Sequence, residues 1–218
     1  DHLQGLISVV QRYNVRYFVI GVAGNQTEGY QRLAQEIKNK NIPIKNLHTG
    51  DKFSLGKVEF DVLWPERKWV ASRVESLKDT SDDSSEVEGL KGAILGLSTE
   101  TELNDFSYYL DLKYGSFSVL FTGDGDSRIQ PEIMKSIDLP DVDILKFPHH
   151  GSKYGATKEF LEKVKPELAV ISSGKNPWGH PTKETISLLE NLGIKIKRTD
   201  IEGDIEIVSD GRNWRMVN

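Results

Sequence analysis

Val142-Asp143-Ile144-Leu145-Lys146-Phe147-Pro148-His149-His150-Gly151-Ser152 is the stretch on which the reading of this chain turns. Its first half is a short apolar run that reads as a buried strand. Its second half is poor core material, because a buried imidazole needs a hydrogen-bond partner and two in succession seldom both find one. Histidines at a strand end, followed by Gly and Ser, are instead how hydrolytic metal sites are built. The chain holds five histidines, and His149, His150 and His180 fall near strand ends or in Gly/Pro loops. These features point to most of a metal-dependent hydrolase.

On either side of that stretch, strands alternate with helices. Upstream, Phe106 to Tyr114 and Phe117 to Thr122 read as a hairpin ending in Gly123-Asp124-Gly125-Asp126, with a helix over roughly Ser127 to Ser136. Downstream come a helix from Thr157 to Val164, a buried strand from Leu168 to Ser172, and a loop holding Gly179-His180-Pro181. Thr182 then caps a helix running through Leu192. Ile194 to Arg198 and Asp204 to Val208 are expected strands, and Asn213 to Val217 an added edge. Nearer the N-terminus, Leu3, Leu6, Ile7, Val10 and Tyr13 have helical spacing, with Asp1 as a plausible N-cap. Val15 to Ile20 reads as a strand, Tyr30 to Ile37 as a helix, and Ile44 to Leu47 as a short strand. Lys52 to Ser54 and Val58 to Trp64 read as paired strands. Residues from about 66 to 92 break this rhythm as a polar insert, and Lys78 to Glu86 contains no apolar residue. The expectation is one α/β (α+β) domain over 1–218, with helices covering sheet layers.

Composition narrows the chemistry. Hydrophobic residues make up 37% and charged residues 28% of the 218, enough for a core under a solvated surface. There is no cysteine, so any metal is left to His and carboxylates, which suit Zn²⁺, Mn²⁺ or Fe²⁺. The net charge of −5 argues against a tight grip on many phosphates. No apolar run approaches the roughly 20 residues needed to cross a bilayer. The chain opens on Asp1 rather than Met and is expected to be a piece of a longer protein. That leaves membrane tethering of the parent open, with an extracellular or cell-surface bacterial location favoured over the cytoplasm.

Asp1-His2, Asp124, His149-His150 and His180 each flank an expected strand. Where two ions sit about 3.5–4 Å apart, one carboxylate commonly bridges them, and Asp124 between two glycines is suited to that position. Blander readings stand beside these: Asp124 as a turn aspartate, and His180 as a loop residue stacked on Trp178. His48, alone in a polar turn, reads as structural. Asp126, Asp141 and Asp143 read as surface or capping groups.

At these residues the chain resembles the metallo-β-lactamase superfamily, and within it the hydrolase domain of ComEC-type DNA-uptake proteins. The resemblance rests on Val142 to Ser152, Val170 to Pro181, Leu120-Phe121-Thr122-Gly123-Asp124, and Arg198-Thr199-Asp200 followed by Gly203 and the strand from Ile205 to Asp210. Asn104-Asp105-Phe106-Ser107 matches a polar element standing where other members carry a third-motif histidine. Asp1-His2-Leu3-Gln4-Gly5-Leu6 is similar to the tail of the first metal motif, so two ligands and the opening strands would precede residue 1, and this chain alone would bind metal weakly.

The resemblance implies a four-layer αββα sandwich with two divalent ions, Zn or Mn, at one rim. It implies Asp1 and His2 on one metal, Asp124 bridging, and His149 (or His150) and His180 as late ligands or transition-state donors. Asp124, His150 and His180 would then be catalytic, with Asn104, Ser107, Ser152 and Lys153 near the substrate. The implied activity is phosphodiester hydrolysis of DNA, a nuclease of competence, by metal-activated hydroxide. Two alternatives stand beside it: hydrolysis of a small phosphodiester or ester (phosphocholine-type or lactone), and a degenerate, non-catalytic binding module.

Overall fold

Alternating apolar residues decide where the sheets form, and helical apolar stripes decide what covers them. The computed structural model describes residues 3–21, 27–73 and 102–217. The chain divides into two compact units, Asp1–Leu47 with Arg67–Phe106, and His48–Glu66 with Ser107–Asn218.

In the first unit, α1 (Leu3–Arg12) packs on α2 (Glu28–Asn39). Between them Ile7, Val10, Phe18, Leu33, Ile37 and Ile42 form a core. Thr27 caps α2 by accepting the Tyr30 N–H, and Lys40 donates to the Val10 and Gln11 carbonyls near the end of α1. A two-residue parallel pair, β1 (Phe18–Val19) with β2 (Ile44–Lys45), lies beside this core. The strand expected over 15–20 is shorter, Phe18–Val19, with the Ile20 N–H still donating to the Lys45 carbonyl and Val15 and Ile20 packed against this core. The insert expected at 66–92 opens as a helix, α3 (Arg67–Arg73), because Trp69 and Val70 are buried. Residues 74–92 lie outside the described residues.

The second unit carries the site. β3 (Lys52–Leu55), β4 (Val58–Trp64), β5 (Tyr109–Tyr114) and β6 (Phe117–Phe121) form an antiparallel meander. β7 (Ile144–Lys146), β8 (Leu168–Ile171) and β9 (Lys195–Arg198) then join in parallel, giving a seven-stranded mixed sheet in sequential order. Crossovers to parallel strands require helices. These are α4 (Gln130–Ser136), α5 (Lys158–Val164) and α6 (Lys183–Asn191). Thr157 and Thr182 cap α5 and α6 with their hydroxyls. One sheet face is covered on the helix side, where Tyr109 meets Phe160 edge-on.

The opposite face, through Phe117, Ile144 and Leu168, packs against Ile207, Trp214 and Met216. Those residues belong to an antiparallel ribbon, β10 (Glu206–Ser209) with β11 (Trp214–Val217). The expected edge at 213–217 is thus a strand of this separate ribbon, because alternate residues of both its strands are needed over the sheet. A short helix, α7 (Thr199–Glu202), precedes it. This unit therefore contains a helical layer, the main sheet and a second β layer, in keeping with the mixed α/β class and three of the αββα layers. No described helix is long and apolar enough to cross a membrane.

Candidate active site

β6, β7 and β8 run parallel or adjacent, and their C-terminal ends open on one rim. β6 ends at Phe121, and Thr122 donates to the Lys146 carbonyl, which ties the following turn to the end of β7. Tyr109 donates to the Gly125 carbonyl from below. Asp124 is held between these two anchors.

β7 ends in the two histidines. His149 (φ 49°, ψ 46°) and His150 (φ 53°, ψ 22°) are both left-handed, a conformation that costs a non-glycine residue roughly 1–2 kcal/mol. Gly151 follows at φ +84°, where an added Cβ would lie 2.5 Å from Pro181 Cβ. Three left-handed residues in succession make a tight hook, and only the last of them is glycine. Strain of this kind persists where surrounding structure over-determines it. Here Thr182 N–H donates to the Gly151 carbonyl, and Thr185 Oγ1 donates to that of Ser152. Gln130, fully buried, donates to the Gly155 carbonyl and accepts the Thr157 N–H.

The hook aims the imidazoles. His150 Nδ1 lies 2.8 Å from the Ser172 carbonyl. A carbonyl only accepts, so Nδ1 carries a proton, and Nε2 is the nitrogen left to face the site. It points at Asp124, with Nε2 3.4 Å from Oδ2. An approach of this length suits a proton on Nε2 or a cation between the two side chains. His149 Nδ1 is buried with no hydrogen bond, 3.8 Å from Asp126 Oδ2. The His149 and His180 rings meet edge-on at 5.9 Å. Burial, followed by neighbouring His149 and His150, holds the His180 imidazolium below its ordinary range, against the pull of Asp124.

Lys146, the last residue of β7, enters the rim from the sheet. Its ammonium donates to the Gly123 carbonyl at 2.9 Å and lies 3.9 Å from Asp124 Oδ1. Burial pushes it below the usual lysine range, and Asp124 opposes that shift. Lys146 could have been noticed as a cation closing an apolar strand. Asp126, read as a surface or capping group, does cap, accepting from Arg128 N–H and Nε, but it is buried and faces His149.

The remaining sequence-selected residues distribute as follows. Ser107 contacts Gly123 and so borders the rim. Ser152 is buried, and its hydroxyl accepts the Tyr154 N–H. Lys153 is exposed, with its ammonium over the Tyr154 ring. Asn104 belongs to the first unit. Asp1 and His2 lie outside the described residues. His48 is buried in its turn, where its N–H donates to Asp51.

As donors for a metal, one carboxylate and imidazole nitrogens suit borderline divalent ions, and the Asp124–His150 juxtaposition fits a cation between the two side chains. Among the described residues, no three such donors converge as a complete coordination set.

A mixed α/β sheet with His and Asp side chains gathered at the ends of its parallel strands is the arrangement expected of a metallo-β-lactamase-type domain. The relatives make this more specific. ComE operon protein 3 of Bacillus subtilis is 26% identical over 94% of this chain and 23% of its own length. Recombination protein 2 of Haemophilus influenzae is 30% identical over 48% of the chain and 13% of its own length. Competence protein ComA of Neisseria gonorrhoeae is 34% identical over 47% and 15%. The chain is similar to a part of each of these proteins and spans less than a quarter of their length. No family model matches it. A CmlA beta-hydroxylase mutant covers 87% of the chain and 39% of its own at 13% identity with a TM-score of 0.45, a likeness too weak to bear on function.

Proposed function

We propose that this chain is the hydrolase domain of a DNA-uptake protein and that it cleaves phosphodiester bonds of DNA with two divalent ions, Zn or Mn. The observation that carries the reading is the Asp124–His150 pair, a carboxylate and an imidazole Nε2 facing each other at 3.4 Å, with Nδ1 held at the Ser172 carbonyl. The names of the relatives, competence and recombination proteins, support DNA as the substrate. Asp124 would hold the ions, with His149, His150 and His180 as the neighbouring donors and Asp1 and His2 completing the set. When bound, such ions supply a water of lowered pKa and charge stabilisation at phosphorus.

The chain's own contributions follow from its geometry. Lys146 and the turn anchored by Thr122 orient Asp124. The Ser172 carbonyl fixes the His150 tautomer, so that Nε2 and not Nδ1 meets the site. Ser107 and Lys153, at the rim and on the adjoining loop, are the groups for phosphate oxygens. Because the substrate arrives from outside a cell, we assign the domain to the extracellular or cell-surface side of a bacterium. The net charge of −5 favours a second reading, a small phosphodiester, over extended duplex DNA.

The test uses the full-length protein. Metal is counted by elemental analysis, and single-stranded and duplex DNA are assayed with Zn²⁺ and Mn²⁺ beside Asp124→Ala. About two ions per chain, with cleavage lost in the variant, is the expected result. Metal without DNA cleavage moves the reading to small diesters, and absence of metal overturns the enzyme.

A further inference from the structure

Trp178 is 70% exposed. The loop carrying it is nevertheless tightly held. Asn176 Oδ1 accepts from the Trp178 and His180 N–H groups at 3.1 and 3.0 Å. Asn176 Nδ2 donates to the Gly174 and His180 carbonyls at 2.8 and 2.7 Å. Ser173 Oγ donates to the His180 carbonyl as well. A single asparagine thus organises the whole turn around an indole that faces water.

That indole is continuous with the rim. It stacks on His180 with centroids 6.5 Å apart and planes 29° from parallel, and His180 in turn meets His149. The loop bearing Lys153 lies against this one, through the close approach of Gly151 to Pro181 and the Thr182-to-Gly151 hydrogen bond. A pre-organised aromatic surface loses little entropy when a flat group settles on it. The flat group that accompanies a phosphodiester is a nucleobase, and base–aromatic stacking requires a base that is not already paired and stacked in a duplex. The chain's charge agrees with this. An acidic protein gains little from counterion release, so affinity for a strand must come from contacts other than many phosphates.

We propose that Trp178 is the stacking platform for an unpaired nucleotide next to the phosphate bound at the Asp124–His150 rim, so that the substrate class is single-stranded DNA. This rests on the nuclease reading above. Asn176 is its positioning residue, and Lys153 supplies one of few phosphate contacts.

The experiment uses the parental protein and a labelled oligothymidylate with its oligoadenylate duplex. Binding is followed by fluorescence anisotropy in chelator, and where chelator abolishes binding, KM for Mn²⁺-dependent cleavage is compared instead. The single strand is expected to bind at least tenfold more tightly than the duplex. Trp178→Ala should weaken it on the order of 5- to 100-fold, the range carried by one stacked base, and Trp178→Phe should recover most of the loss. A single abasic nucleotide moved along the strand should weaken the wild type at one position and leave Trp178→Ala indifferent. The dependence on salt should be shallow, about that of two phosphates. Single-strand binding or cleavage unchanged in Trp178→Ala, or equal use of the duplex, overturns the platform and leaves the nuclease reading intact. No interaction with any DNA overturns the nuclease reading itself.

Discussion

Two regions of the second unit gather buried or half-buried carboxylates, and they treat them in opposite ways. On the antiparallel side, Asp61 on β4 and Asp111 on β5 are cross-strand neighbours. Lys113 lies 3.1 Å from Asp61 and 3.0 Å from Asp111, and Lys52 lies 3.1 Å from Asp61. Two negative charges meet two positive ones. At the parallel-strand rim, Asp124 meets the His150 imidazole at 3.4 Å, and the Lys146 ammonium is 3.9 Å away. The first arrangement neutralises itself. The second sets a carboxylate against an imidazole, with the ammonium farther off. Buried charge alone therefore says little about function, and the nature of the facing group says more.

Backbone strain follows the same division. At the rim, two histidines occupy left-handed conformations that glycine would adopt without strain. Replacing His150 with Gly should therefore separate activity from stability. Hydrolysis should fall more than 100-fold, while unfolding free energy in urea changes by no more than about 1 kcal/mol, strain relief offsetting lost contacts. A large loss of stability would mean that the histidine is structural after all.

Gly151 sharpens the contrast, because its left-handed backbone is required. Gly151→Ala adds a Cβ against Pro181 at a positive φ, and should cost roughly 2–4 kcal/mol, read as a lowered urea midpoint.

Asp111 breaks the comparison from the other side. Burial is the largest influence on its carboxyl and holds it above its ordinary 3.8, although Lys113 pulls it down. Asp61, more exposed and served by two lysines, is lowered. A carboxyl raised in the folded state binds its proton more tightly there than in the unfolded chain. Its contribution to stability is thus fully present below the ordinary value and lost as pH rises through the raised one. Asp111→Asn should abolish that component, so the variant's stability declines less than the wild type's as pH rises above 3.8. Unfolding curves at several pH values read this directly, and an unchanged pH slope would show Lys113 fully compensating the burial.

The smallest expected effect tests whether strain by itself marks a site. Lys165 is also left-handed (φ 41°), at the end of α5 and away from the rim. It is an ordinary helix cap, and its ion pair with Asp141 is exposed and of little weight. Lys165→Gly should raise stability by about 0.5–1 kcal/mol and leave hydrolysis untouched.

Much of the second unit was legible in the chain. Hairpin character identified β3 with β4 and β5 with β6, apolar runs identified β7 and β8, and Thr182 marked the start of α6. The ribbon of β10 and β11 was legible as strands but not as a separate layer, because period-two patterning does not say which sheet a strand joins. The helix at Arg67–Arg73 was hidden because only Trp69 and Val70 of its seven residues are buried, too few to make a periodic stripe. In the rim, Asp124, His149, His150 and His180 stood out by residue type beside Gly and Pro. Lys146 and Asp126 did not, because a strand-end lysine and a turn aspartate look the same in sequence whether they face water or a site.

The sequence by itself determined the donor types, an all-oxygen-and-nitrogen set in a chain without cysteine, and the strand ends that carry them. Local composition suffices for that, since apolar periodicity and glycine-rich turns act over a few residues. Tertiary structure alone decided which nitrogen of His150 meets Asp124. It also decided that His149 faces Asp126. Each of these depends on a partner 22 or more residues away. Contacts of that separation form only when β6, β7 and β8 are brought side by side.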